Sequence, residues 1–181
     1  MESGERLRRI IFHTVLALLV MAGWAGNPVR ASQGTDSLYH GFLYYPRLDT
    51  GFLKSVEKRF PSGLSGRELA LAVMKELLEE PAAPGLGRIL PRGTALRALF
   101  ITDDGAAYID LETGNIRDDH GGVHMDTQGE YLAIYAIANS LIVNVPQIRK
   151  VKILLNGQES QTLAGHVELD CFYQTNLLIV K

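Results

Sequence analysis

Apolar positions recur at helical spacing in two stretches of the chain and alternate along strands in three others. The run TQGEYLAIYAIANSLIVN sets Tyr131, Ile134, Tyr135, Ala138, Leu141 and Ile142 at i, i+3, i+4 spacing. It predicts a helix over Thr127–Asn144, about 27 Å long at helical rise. Thr127 and Glu130 fit a capping box at its start, and Pro146 bars its continuation. A second box, Ser65 with Glu68, opens ELALAVMKELLEE. There Leu69, Ala70, Val73, Met74 and Leu77 form the inward stripe, and Pro81–Gly87 is a loop by composition.

Strands fall between the helices. Tyr39–Pro46 and Phe52–Phe60 flank the turn residues Leu48–Gly51 and predict a hairpin. Ala95–Thr102 and Ala106–Leu111 flank Asp103-Asp104-Gly105. A two-residue turn at Asp104-Gly105 would pair Phe100 with Ile109 and Ala98 with Leu111, turning Leu96, Ala98 and Phe100 toward the core. VKILLNGQESQT alternates about Asn156-Gly157, which predicts a third hairpin with Val151, Ile153 and Leu155 on one face and Lys152 opposite Gln161. His166–Asp170 and Leu177–Val180 are read as short terminal strands. The order is strand pair, helix, strand pair, helix, strand pair. That order predicts an α+β fold, two helices packed on one face of a mainly antiparallel sheet, in a single domain over 39–181.

Residues 1–31 stand apart. Arg6, Arg8 and Arg9 precede the apolar run Ile10–Ala25, and Val29-Arg30-Ala31 offers a cleavage site before Ser32. This is the pattern of a secretory signal peptide, with an uncleaved signal anchor as the alternative and 32–38 as a polar linker. The domain is therefore expected outside the cytoplasm. Membrane contact is expected only through that segment if it is retained. Without residues 1–31 the net charge falls from −2 to about −4, which favours solubility and gives no footing for nucleic acid. Cys171 is the single cysteine, so no internal disulfide can staple the fold.

Chemistry-bearing residues are few. Asp118, Asp119, His120, His124 and Asp126 lie within nine positions and could ligate a divalent metal, although Asp126 and Thr127 are already accounted for by helix capping. His166 could act as a base, but no Ser or Cys nucleophile sits in a recognisable elbow or triad context. Glu79-Glu80 and Asp103-Asp104 read as solvated charges, because neighbours at i, i+1 do not face one another on a helix and a hairpin tip is wet. Gly85-Leu86-Gly87 and Gly121-Gly122 lack phosphate-loop spacing. Arg149, Lys150 and Lys152 form a small basic cluster at a strand start. Tyr39, Phe42, Tyr44 and Tyr45 populate both faces of the first strand, so an aromatic face is expected to remain exposed as an interface. No catalytic residue, metal or cofactor is assigned.

The pieces LPRGTALRALFI, GAAYIDL, HGGVHMDTQGEYLAIYAIANSL, VPQIRKVKILLNGQ and TLAGHVEL, in this order, resemble the GerM-type (GerMN) sporulation and spore-germination domain. The resemblance implies a compact domain similar to the ring-building modules of envelope assemblies. It also implies that the loop before the long helix is structural. The function expected is a non-enzymatic interaction module of the cell envelope, working through an apolar sheet surface or edge-strand pairing with envelope proteins or with itself. The competing expectation is a cell-wall ligand- or metal-binding protein or hydrolase using His120, His124 and His166. No lipobox cysteine follows the leader, unlike the lipoprotein form among relatives.

Overall fold

The computed structural model describes residues 37–113 and 125–181. The leader, most of the linker and the His120–His124 loop lie outside the described residues. The elements, in order, are β1 (Leu38–Pro46), β2 (Leu53–Pro61), α1 (Gly66–Leu78), β3 (Ala95–Ile101), β4 (Ala106–Glu112), α2 (Thr127–Asn144) and β5 (Lys150–Leu155). A single 3-10 turn, Leu177–Ile179, follows. The α+β class is as expected. The strands are divided, however, between the hairpin β1-β2 and a three-stranded sheet in the order β3-β4-β5.

Helix α2 has the bounds its periodicity predicts, but its buried surface is wider than one stripe. Leu132, Ala133, Ala136 and Ile137 are buried along with Ile134, Ala138 and Leu141, while Tyr131, Tyr135 and Ile142 are half-buried. A helix that is apolar almost all round is one enclosed on most sides. It packs against β1, α1 and β5. Its N-cap is Asp126, whose carboxylate accepts from Gly129 N at 2.6 Å, and not Thr127. Glu130, read as the far arm of a capping box, is instead fully buried and serves a distant loop. Its Oε1 accepts from Leu163 N (2.8 Å) and Ala164 N (2.9 Å), and its Oε2 from His166 N (2.9 Å). The carboxylate offers acceptors for several donors, which makes burial of the charge tolerable. In α1 the predicted Ser65–Glu68 box is present, and Ala70, Val73, Met74 and Leu77 are buried.

The β3-β4 hairpin pairs one register away from the sequence expectation. Thr102 N donates to Ala106 O and Gly105 N to Thr102 O, so the loop is the three residues Asp103–Gly105 with Gly105 at φ +80°. Gly supplies that left-handed position without a Cβ penalty. The extra loop residue pairs Leu99 with Ile109 and Phe100 with Tyr108. A slip of one residue exchanges the two faces of a strand. Leu99 is thus in the core at 1% exposure and Phe100 is 62% exposed. A bulge between Leu96 and Ala98 brings Leu96 back opposite Leu111.

The third hairpin does not form as a strand pair. Asn156 (φ +54°) and Gly157 (φ +82°) make the expected turn, but only Leu155 and Gln158 pair across it. β5 runs parallel to β4 instead, from Ala106–Lys150 to Leu111–Leu155. The crossover between them contains α2, as parallel pairing requires. Ala107, Ile109 and Leu111 of β4, with Val151 and Ile153 of β5, form the buried face of this sheet. Of the two short terminal strands expected, His166–Asp170 yields only the Thr162–Glu168 bridge, and Leu177–Ile179 is the 3-10 turn before a Val180–Leu53 bridge.

Candidate functional site

The first strand shows what becomes of its four aromatic residues. Tyr39 and Phe42 are exposed, Phe42 at 44%. Tyr44 and Tyr45 are core residues, because β1 is covered on both faces from Leu43 onward. Tyr45 donates its hydroxyl to Glu76 O at 3.1 Å, and burial, helped by the Glu76 charge, pushes that phenol up to about 12. Burial likewise raises Tyr44.

The outer backbone edge of β1 is occupied. Asn144, near the end of α2, presents its amide as a strand would. Its Oδ1 accepts from Phe42 N at 2.9 Å and its Nδ2 donates to Phe42 O at 2.6 Å. One turn earlier Ser140 Oγ accepts from Tyr44 N at 3.0 Å. Gly41 lets the helix come this close, since a Cβ there would stand 2.4 Å from Asn144 Oδ1. An edge sealed in this way cannot receive another strand.

The face of the three-stranded sheet away from α2 is different. Phe100 stands exposed beside Tyr108, its cross-strand partner. Tyr108 meets Phe172 edge to face, with ring centroids 5.7 Å apart, and Phe172 is itself exposed. Lys150 Nζ lies 4.6 Å from the Phe172 centroid and Lys152 Nζ 5.9 Å. Lys150 also bridges to Asp104 Oδ2 at 2.9 Å, and Arg149 donates to Asp104 O. The Thr102 hydroxyl bond, then Lys150, holds the Asp104 carboxyl down to about 2. Lys152 is almost wholly buried and donates to Asp170 O at 2.7 Å, so Lys150 is the more available cation. β3 is also an outermost strand, with no further strand beside it among the described residues. Aromatic rings, a cation and an open strand edge therefore lie together on one side of the sheet.

The remaining sequence candidates are dispersed. His166 has its backbone N–H on Glu130 and its ring Nε2 3.1 Å from Met125 O, so its role in the described structure is to fasten the 163–166 loop to the start of α2. Asp126 is the N-cap. Glu80 pairs with Arg88 and Arg92. Cys171 is a free, exposed thiol. Asp118, Asp119, His120 and His124 lie outside the described residues. Among the described residues no three His, Cys, Asp or Glu side chains gather as a metal site, and no helix is long and apolar enough to cross a membrane. Sequence reasoning missed Phe100 by placing it in the core and missed Phe172 altogether. Only the possibility of a three-residue loop before Ala106 could have signalled the first.

Comparison with known proteins supplies the family. The model of the Germane family, described as sporulation and spore germination, matches residues 42–161, about two-thirds of the chain. The chain belongs to this family. The Germane match takes in β1 from Phe42 onward, β2, the β3-β4 hairpin, both helices and β5. Among solved structures, the first GerMN domain of the sporulation protein GerM from Bacillus subtilis superposes with a TM-score of 0.56 at 17% identity, over 76% of this chain and 98% of that one. The tandem GerMN domains of the same protein give 0.58 at 18% identity, over 75% of this chain and 45% of that one, so the chain spans about half of the tandem. A Clostridium perfringens protein classed as a candidate lipoprotein gives 0.51 at 21% identity, over 77% of this chain and 87% of that one. At these identities the likeness establishes the fold. Among curated proteins none matches the chain significantly. The family is one of sporulation and germination domains and is not a known enzyme family.

Proposed function

We propose that this Germane domain is a non-enzymatic docking module of the bacterial cell envelope, working outside the cytoplasm, where it binds envelope proteins or further copies of itself. The observation that carries the reading is the exposed Phe100–Tyr108–Phe172 surface with Lys150 at its margin and, beside it, the edge of β3, which no strand among the described residues pairs. Aromatic residues are over-represented in the buried centres of protein interfaces, and an open edge offers main-chain hydrogen bonds to an added strand. The sealed edge of β1 directs that second mode of binding to β3. The secretory pattern of residues 1–31 supports an extracytoplasmic location, as does the kinship with GerM. Tyr39 and Phe42 provide a smaller second contact area on the hairpin.

In-cell cross-linking of the tagged full-length protein, read by mass spectrometry, tests this. Defined envelope proteins or self-multimers are expected from the wild type and are expected to disappear with Phe100→Ser plus Phe172→Ser in a chain of unchanged thermal stability. Capture of monomer alone from the wild type would overturn the docking role, as would an unchanged capture pattern from the double variant.

A further inference from the structure

A separate corner of the domain combines the two most exposed leucines among the described residues with three cations. Leu48, in the β1-β2 turn, is 74% exposed, and Leu178, in the 3-10 turn, is 91% exposed. An open groove of about 520 Å³ is lined by Arg47, Leu48, Asp49, Lys54 and Lys181, with the 84–86 loop as its other wall, and Leu178 lies three residues before Lys181. Asp49 is the one acid in that lining, and Arg47 holds it with two hydrogen bonds of 3.0 and 2.7 Å. Among the described residues Lys54 has no such partner in the groove, and Lys181 rests over the Phe52 ring at 3.8 Å.

The leucines are held out by construction. Buried Asn139 donates to Asn176 O at 3.0 Å and accepts from Asn176 N at 2.8 Å. Asn176 in turn donates to the Tyr131 hydroxyl and caps the 3-10 turn through Leu178 N. At the far end Lys181 N donates to Leu53 O at 2.8 Å. The tail is thus fixed on both sides of Leu177–Leu178, and the exposure of those side chains is a fixed presentation that costs little further ordering on binding.

We infer that this corner seats on an anionic phospholipid surface, with Arg47, Lys54 and Lys181 at the headgroup phosphates and Leu48 and Leu178 entering the interfacial layer. Free phosphate would account for the cations but gives the leucines nothing to contact. A lipid surface uses both, since interfacial binding sums buried apolar area and attraction to negative headgroups. The rest of the domain carries net negative charge, so the attraction is local and orients the domain. The contact does not depend on the docking surface of β3 and β4, and each can fail without the other.

The test places a bimane fluorophore at Leu178→Cys in the full-length Cys171→Ser chain and adds vesicles of phosphatidylcholine alone or with 30% phosphatidylglycerol, each carrying a doxyl-lipid quencher. Quenching is expected with the anionic vesicles and not with the neutral ones, and a control label at Phe100→Cys should remain unquenched. Because each basic residue near such a surface is worth about fivefold in partitioning, Lys54→Gln plus Lys181→Gln should raise the lipid needed for half-quenching by about 25-fold. Equal quenching at 178 and 100, quenching indifferent to lipid charge, or insensitivity to the lysine changes would each overturn the inference. So would a label at 178 that responds to polyglutamate but not to vesicles, which would identify an acidic protein segment as the occupant.

Discussion

The outer edges of β1 and β3 begin with the same liability and end in opposite states. Each is an outermost strand with main-chain donors and acceptors pointing away from its partner. On β1 the helix α2 supplies substitutes, Asn144 for Phe42 and Ser140 for Tyr44, and the strand is buried on both faces from Leu43 to Tyr45. On β3 no second strand is present among the described residues, and Phe100 stands in solvent beside the edge. The difference lies in polar side chains placed one turn apart on a helix that is otherwise apolar. A fold can therefore choose which edge is available for pairing by the position of an Asn and a Ser. Pairing is thus blocked along one side of the molecule and left open along the other.

The largest effect is expected where α2 is anchored at its other end. Glu130→Ala would leave the N–H groups of Leu163, Ala164 and His166 without their acceptor in a buried site, at a cost of about 3–5 kcal/mol. Chemical denaturation would show it as a lowered midpoint, and a loss below 1 kcal/mol would mean that the loop finds other partners. Asn144→Ala attacks the comparison directly. Unpairing Phe42 should cost about 2–3 kcal/mol and turn the β1 edge into a second acceptor of strands, so light scattering should show association beyond that of the wild type. An association state unchanged from the wild type's would show that the helix body, and not the amide, excludes partners.

On the open side Phe100→Ser should leave stability within about 0.5 kcal/mol, as a solvent-facing site does, even though it weakens docking. A fall in thermal midpoint of many degrees would show that Phe100 is structural. The smallest effect concerns Asp104 at the hairpin tip. Its folded pKa, lowered to about 2 by Thr102 and Lys150, lies below its unfolded value near 4. Its contribution is therefore present above pH 4 and lost as the pH falls toward 2. A carboxyl NMR titration should show that midpoint return toward the ordinary value in Thr102→Val. An unmoved midpoint would assign the shift to Lys150.

Much of this fold is legible in residue pattern. The period of TQGEYLAIYAIANSLIVN fixes α2 because its apolar positions persist over 18 residues, and Ser65–Glu68 marks the start of α1 because both arms of that box are local. Glu130 misleads for a physical reason. A Glu three residues after Thr127 matches a local cap, yet its carboxylate serves backbone groups more than 30 residues away, which no local pattern records. The β3 register failed on one loop residue, and with it the most exposed aromatic of the proposed site was assigned to the core. Tyr44 and Tyr45 alternate as a strand should, but alternation tells inside from outside only when one face is wet. The parallel pairing of β5 was concealed by a genuine Asn156-Gly157 turn, which promised a neighbouring strand that the chain does not build.

The parallel union of β4 and β5 also sets an order of events during folding. Ala106 and Lys150 are about 44 residues apart, whereas β3 and β4 are joined by a loop of three. Closing the longer loop carries the greater entropic cost, and hairpins form on the microsecond scale. The two hairpins can therefore exist as early, separate nuclei, while β5 must await the helix that carries it back across the sheet. Until that return, Ala107, Ile109 and Leu111 have β3 on one side and no strand on the other, and the nascent sheet is most vulnerable to a wrong partner during that interval.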